Sequence, residues 1–232
     1  AFLTFTMSSK IERRKSIKMK NKQIFDDWPE KYDEWFETPI GGLIKEFESR
    51  LVMKHLKPAA GERILDAGCG TGIFTADFLD AGADVVGLEL SYPMVASAAG
   101  KLSSRPFTPV AGDMTALPFA DESFDKSVSV TAIEFIADAE SAVAELFRVT
   151  KSGGAVLVAT LNSLSPWAHR RNEAGKKGHD IFKKIYFRSP QEMMALSTVK
   201  GRCETAVHFV KNEVPDRARE IEMSQQRKMP ET

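Results

Sequence analysis

Apolar positions along this chain follow two rhythms, and the architecture changes where the rhythm changes. From Ile24 an aromatic, acidic stretch (Phe25, Trp28, Tyr32, Trp35, Phe36) is followed by Leu43, Phe47, Leu51 and Leu56 near helical spacing, up to the breaker Pro58. The spacing predicts two helices. From Glu62 the pattern becomes strand, turn, helix, repeated. Arg63-Ile64-Leu65-Asp66 predicts a short buried strand ahead of a glycine cluster. Residues 73–81 predict a helix ended by Gly82, and 84–89 a second strand. Helix 92–101, strand 107–111, strand 123–130, helix 138–149 (apolar at Ala142, Val143, Leu146 and Val149) and strand 155–161 continue the series. Strands alternating with helices predict a parallel sheet covered on both faces.

Residues 162–188 break the pattern with Pro166, Trp167 and seven Lys/Arg against Glu173 and Asp180. So long a stretch inside a compact domain reads as a functional insertion or a lid. Ser189-Pro190-Gln191-Glu192 carries the chemistry of a helix start. Thr205 to Val210 predicts a sixth strand, and 215–228 a polar helix or loop. The first six residues are strand-like with no partner nearby in sequence. Phe2 to Phe5 either fill a sheet position beside the sixth strand, as if parental termini had been joined and reopened elsewhere, or form an inert leader. The expected organisation is a basic leader over 1–23 and one domain over 24–232, with a helical lid at 24–57 and the insertion at 162–188.

Composition narrows the class. Of 232 residues, 43% are hydrophobic and 28% charged, which excludes collagen-like, low-complexity and wholly disordered chains. Lys+Arg and Asp+Glu both number 32. With no net charge, no global field favours nucleic acid or a membrane surface, and only local patches remain. One such patch is the run of seven Lys/Arg within 1–22 against Glu12 alone. Two cysteines, Cys69 and Cys203, are too few for a disulfide framework or a thiolate metal cage, so a reducing cytoplasm is expected and no metal. No apolar run reaches the roughly 18 residues of a membrane span.

The chemistry concentrates at Ile64-Leu65-Asp66-Ala67-Gly68-Cys69-Gly70-Thr71-Gly72, a strand running into a glycine turn that opens a helix. Glycines serve where backbone must approach a ligand or take positive φ. The carboxyl edge of a first strand is where open α/β sheets bind ligands. Position 73 is Ile, so the dinucleotide spacing G-x-G-x-x-G is not met, and Asp66 would repel a pyrophosphate while suiting a cationic or amino-acid-bearing ligand.

Asp66-Ala67-Gly68-Cys69-Gly70-Thr71-Gly72 resembles motif I of the class I S-adenosylmethionine-dependent methyltransferases. Further segments agree in order: Glu89 after the second strand, Ser91-Tyr92-Pro93-Met94, Gly112-Asp113-Met114 ahead of Ala116-Leu117-Pro118-Phe119, Asp121 to Asp125, and Arg148 to Gly154. Together they are similar to the subgroup that includes ubiquinone-biosynthesis-type small-molecule enzymes. The resemblance implies a Rossmann-like, doubly wound α/β fold with a mostly parallel seven-stranded sheet, one strand antiparallel. It also implies a cofactor site of Tyr32, Asp66, Gly68, Cys69, Gly70, Thr71, Gly72, Glu89, Leu90, Met94, Asp113 and Met114. Glu89 would take the ribose hydroxyls and Asp113 the adenine amine. Each has a plainer reading: Asp66 as a helix cap, Glu89 as a solvated strand end, Asp113 as a turn former, Cys69, Met94 and Met114 as packing.

On the acceptor side the resemblance implicates Glu134 and Phe135 after the fourth strand, and Asn162, Trp167 and His169 follow the fifth. Glu134 and His169 are the candidate catalytic groups, with His169 alternatively an exposed loop residue beside Arg170 and Arg171. The basic insertion suits an anionic small-molecule acceptor or a merely solvated face. Base amino-group methylation would want an Asn/Asp-Pro-Pro-aromatic segment where Ser129-Val130-Thr131-Ala132 stands, and cytosine C5 chemistry a Pro-Cys pair that is absent. Arsenic methylation leans on several thiols, against two here. Two other classes stay open: a non-catalytic S-adenosylmethionine-binding protein, and a nicotinamide-dependent reductase, although no Tyr-x-x-x-Lys pair occurs.

Overall fold

Ile64 and Leu65 are adjacent, apolar and fully buried, yet they belong to different cores. The period of two in a strand sends them to opposite faces, so the sheet must be covered on both sides. The computed structural model describes residues 22–226 and meets that demand with five strands: β1 (Arg63–Ala67), β2 (Asp84–Glu89), β3 (Phe107–Ala111), β4 (Phe124–Val130) and β5 (Thr150–Ala159). Their order is β3-β2-β1-β4-β5 and every pairing is parallel. Val85 and Val86 repeat the division: Ile64, Val85, Val128 and Val130 face one core, Leu65, Val86 and Leu88 the other.

Helix α2 (Pro39–Leu56) supplies Val52 and Leu56 to the first face, joined by Phe78 and Leu79 of α3 (Thr75–Asp80). Helix α4 (Tyr92–Lys101) continues that layer beside β2 and β3. The opposite face is closed by α5 (Ala139–Val149), whose Ala142, Val143, Leu146 and Val149 form the expected stripe. Asp138 caps α5 by accepting from the Ser141 N–H. Ahead of this body lies α1 (Pro29–Glu37). Beyond it lie α6 (Pro166–Lys176), α7 (Pro190–Ala195), whose Ser189 and Glu192 form a reciprocal cap, and α8 (Pro215–Gln226). A third cluster, built on Leu43, Ile44, Phe47, Trp167, Phe209 and Ala218, joins α2, α6 and α8.

Two expectations need correction. Among the described residues the sheet has five strands, not seven, and none is antiparallel. Thr205 to Val210 is not a strand, because its backbone groups are claimed by side chains from elsewhere. The His208 N–H donates to the buried Glu222 carboxylate at 2.8 Å, and the Phe209 carbonyl accepts from Trp167 Nε1 at 2.6 Å. Val207 takes φ +65°, which a strand cannot contain. The proposed strand at Phe2 to Phe5 and most of the basic leader lie outside the described residues. Among the described residues no helix is long and apolar enough to cross a membrane.

Candidate active site

The sheet order reverses between β1 and β4, so the crevice beyond their carboxyl ends is the topological switch point. The glycine turn sits there. Gly68, Gly70 and Gly72 all have positive φ, at 81°, 55° and 84°. A Cβ on Gly68 would lie 2.3 Å from that of Ala132 and one on Gly72 2.8 Å from Leu102 Cδ1. Gly70 differs, since a Cβ there would meet only Met94 Cε at 3.6 Å and Tyr32 Cε1 at 3.9 Å. Its open side therefore looks towards the N-terminal helix and the buried Met94.

Glu89, at the end of β2, is fastened to that turn. One carboxylate oxygen accepts from the Gly70 N–H at 3.1 Å, the other from the Ser91 N–H at 2.8 Å. Burial pushes its pKa up, and the Ser91 and Gly70 N–H groups oppose the rise. Asp66 lies deeper, 2% exposed, accepting from the Thr75 hydroxyl at 2.7 Å. Burial pushes it up to about 7, with the Thr75 bond opposing. It therefore ties the turn to α3. Asp113, past β3, is exposed and accepts from the Thr115 N–H and hydroxyl. Met114 is buried and Leu90 exposed. Cys69 is buried, and burial first, then Asp66 and Glu89, hold its thiol well above the ordinary value, the opposite of what a nucleophile needs.

Helix α1 and the turn before it lie over this edge. Thr71 donates to Asp33 at 2.5 Å, Lys101 pairs with the same carboxylate at 2.7 Å, and Ser91 donates to Asp26 at 2.8 Å. Tyr32 is hydrogen-bonded to Thr131, and burial raises its phenol pKa. Phe25 stands edge-on to Phe135 at 4.9 Å between ring centroids. Asp26 and Asp33 had no signal beyond their place in an aromatic, acidic stretch.

Next to Tyr32 the structure builds a second, buried polar group. Glu134, in the 3-10 turn Ile133–Phe135 after β4, is 0% exposed. One oxygen accepts from Thr160 at 3.1 Å, while Oε1 has no hydrogen-bond partner among the described residues. Burial pushes the carboxyl up to about 7, against its own backbone N–H, Thr160 and the charges of Arg171 and Arg188. The turn is clamped from outside: Tyr186 N–H donates to the Glu134 carbonyl at 2.7 Å, and Arg188 donates to the carbonyls of Ile133 and Ile136. Arg171 of α6 faces this region, its pKa lowered by burial and held up by Glu134 and Glu48. Glu48 of α2 is pushed up to about 8 by burial, partly countered by Arg171. Arg171, Glu48 and Arg188 were not singled out from the sequence. Of the other acceptor-side candidates, Phe135 and Trp167 are placed in packing contacts, and Asn162 accepts from the Leu164 N–H. His169 is exposed on α6, whereas Glu134 is wholly buried.

A parallel sheet with a glycine turn, an acid at the end of β2 and an acid after β3 at one edge defines a Rossmann-like α/β fold. Residues 65–158 match the family described as methyltransferase domain. This segment, carrying most of the sheet and the whole turn, is similar to S-adenosylmethionine-dependent methyltransferases. A demethylmenaquinone methyltransferase from Renibacterium salmoninarum is 38% identical over 136 residues, 59% of this chain and 56% of that protein. A malonyl-[acyl-carrier protein] O-methyltransferase from Erwinia pyrifoliae is 42% identical over 110 residues, 47% and 41% of the two chains. The chain thus spans about half the length of the curated relatives it matches. A solved methyltransferase from Thermotoga maritima, titled a possible histamine N-methyltransferase, is 29% identical with TM-score 0.58, covering 75% of this chain and 77% of that one. A methyltransferase solved with its Trm112 activator from Haloferax volcanii has TM-score 0.61 at 21% identity, covering 76% and 75%, and shares the fold.

Proposed function

We propose that this chain binds S-adenosylmethionine at the Gly68–Gly72 turn and catalyses methyl transfer to a small-molecule acceptor held beside Glu134, leaving S-adenosylhomocysteine. The observation that carries the reading is the Gly70–Glu89 contact: a carboxylate fastened by two backbone N–H groups at the one glycine of the turn where a Cβ would meet no clash. This donor set fits the cofactor. Two carboxylate oxygens match a ribose diol, Asp113 offers an acceptor for an amine, and Gly70, Met94 and Tyr32 line the space between turn and lid. The cofactor supplies a methyl group activated on a sulfonium.

The residues then have three tasks. Glu89 and the glycine turn fix the donor, and Tyr32 with Phe25 excludes water. Fixing the donor against the acceptor's nucleophilic atom can supply ~7–11 kcal/mol in well-aligned cases. Glu134 takes the acceptor's proton at Oε1, the buried oxygen without a partner, while Thr160 holds the other oxygen. A carboxyl titrating near 7 suits a general base at neutral pH. Arg171 and the basic α6 favour an acceptor carrying negative charge. In this reading residues 24–232 form one methyltransferase domain, with 24–57 as lid and 162–188 lining the acceptor side, working in the cytoplasm.

Calorimetric titration with S-adenosylhomocysteine, with NADH alongside, tests the cofactor assignment. Saturable binding of the first alone is expected. Binding of NADH alone defeats the reading. Labelled methyl donor against a panel of small hydroxyl and amine acceptors then separates an enzyme from a protein that only binds the cofactor.

A further inference from the structure

Beside Trp167 the fold leaves a cleft of about 150 Å³, lined by Pro166, Trp167, Arg170, Val210, Lys211 and Asn212. Its volume is about half the lower limit for a whole drug-sized ligand, so it takes a small ion or one group of a larger molecule. Both walls are fixed. The first turn of α6 is capped by Ser165, and Trp167 Nε1 locks onto the Phe209 carbonyl, which anchors the Val210–Glu213 turn closed by Glu213 N–H to Val210 O.

The cleft concentrates positive charge without compensation. Among the described residues neither Arg170 nor Lys211 has an ion-pair partner, while Lys45, Lys101, Lys126, Arg148 and Arg219 each have one. Lys211 is half-buried above the Trp35 ring, 5.1 Å from its centroid. Its pKa is lowered by burial first and then by Arg170 and Arg171. The cleft also meets a helix N-terminus. Pro166 has no N–H, the Ala168 N–H goes to the Ser165 hydroxyl and the His169 N–H to the Ser165 carbonyl. The Trp167 N–H is thereby left as the first-turn donor without an acceptor among the described residues, at the positive end of an 11-residue helix.

We propose that this cleft is a phosphate site, read by Arg170, Lys211 and the first turn of α6. Two unpaired cations and a free helix-end N–H match a doubly charged tetrahedral oxyanion better than a singly charged one. The indole wall and exposed Val210 suit a phosphate carried on an organic body. The site is separate from the cofactor edge: adjacent positions on α6 send Arg170 to the surface cleft and Arg171 towards Glu134.

The test titrates inorganic phosphate and phenyl phosphate into the whole chain and into Arg170→Ala/Lys211→Ala, by calorimetry or by 31P line broadening. Saturable binding that falls at least about tenfold in the double variant is expected, as for loss of charge-assisted hydrogen bonds. Tighter binding of phenyl phosphate assigns the site to an ester-borne phosphate, and equal binding to the free ion. Far-ultraviolet circular dichroism and the thermal midpoint serve as the folding control, and Lys211→Gln provides a milder variant that keeps the stem on Trp35. Absence of saturation by either probe below ~10 mM, or equal binding to parent and double variant, overturns the proposal.

Discussion

Glu134→Gln isolates the energetic consequence of burying a carboxylate beside the acceptor space. In the folded protein burial pushes this carboxyl from an ordinary 4.5 to about 7. At ~1.36 kcal/mol per pH unit, that interval means the ionised group costs the fold about 3 kcal/mol. Because the folded pKa lies above the unfolded one, the folded state holds the extra proton between them. Stability therefore falls as pH rises from about 4.5 to about 7 and levels off beyond. Glutamine keeps the shape and an acceptor for Thr160 but does not ionise, so its own penalty is independent of pH. Urea unfolding followed by tryptophan fluorescence, at pH values from about 4.5 to 8, should show the variant gaining about 3 kcal/mol on the parent across the interval. Glu48 adds in the same direction, since the Glu134 charge helps to raise its pKa and the variant relieves it. A difference constant to within ~0.5 kcal/mol over the range would falsify the burial argument. If Glu134 is also the base, methyl transfer by the parent rises through about pH 7, and the variant loses that limb together with ~10²–10⁴-fold in rate.

Gly68→Ala must take φ +81° and place a methyl 2.3 Å from Ala132 Cβ, whereas Gly70→Ala meets nothing nearer than 3.6 Å. Thermal melts should show the first losing several degrees more than the second, the left-handed backbone alone costing ~1–2 kcal/mol at either site; equal losses would refute the clash. Glu89→Ala removes the acceptor for two backbone N–H groups, and S-adenosylhomocysteine affinity should fall ~10–100-fold by calorimetry; unchanged affinity would end the diol assignment. Asp33→Ala cuts the Thr71 bond and the Lys101 pair together. Stopped-flow dissociation of S-adenosylhomocysteine should accelerate several-fold, as for a lid drawn from the low-stability end of the structure; an unaltered rate would mean that these contacts do not gate the edge.

The turn proposed to hold the cofactor was legible because its determinants are local. Positive φ at Gly68, Gly70 and Gly72 is confined to one short turn, and Glu89 follows from the end of a strand that is apolar at Val85, Val86 and Leu88. Burial on both faces made β1 and β2 readable from adjacent apolar pairs, Ile64-Leu65 and Val85-Val86. Thr205 to Val210 has the composition of such a strand and was misread as one. Strand propensity describes side chains that fit a pleated surface. The outcome here was decided by backbone partners, Glu222 on α8 and Trp167 on α6, which no window around Val207 contains.

Glu134 was singled out in the sequence, but the groups that hold it do not show there, for the same reason. Glu134 is oriented by Thr160 at the end of β5, by the Tyr186 N–H, and by Arg188, whose guanidinium holds the two carbonyls flanking the turn. These groups stand 26 to 55 residues away in the chain. Nor does the basic run of α6 reveal which arginine turns inward, because that depends on the phase of α6 against the third core through Trp167 and Ala168. A site assembled this way can change its acceptor by altering the 162–188 segment alone, leaving the glycine turn and Glu89 untouched. The family model itself ends at residue 158, just before the segment that clamps Glu134 begins. In the proposed reading, donor binding rests on residues inside the matched segment, Asp66 to Asp113, and acceptor choice on contacts that Thr160, Tyr186 and Arg188 bring in from beyond it.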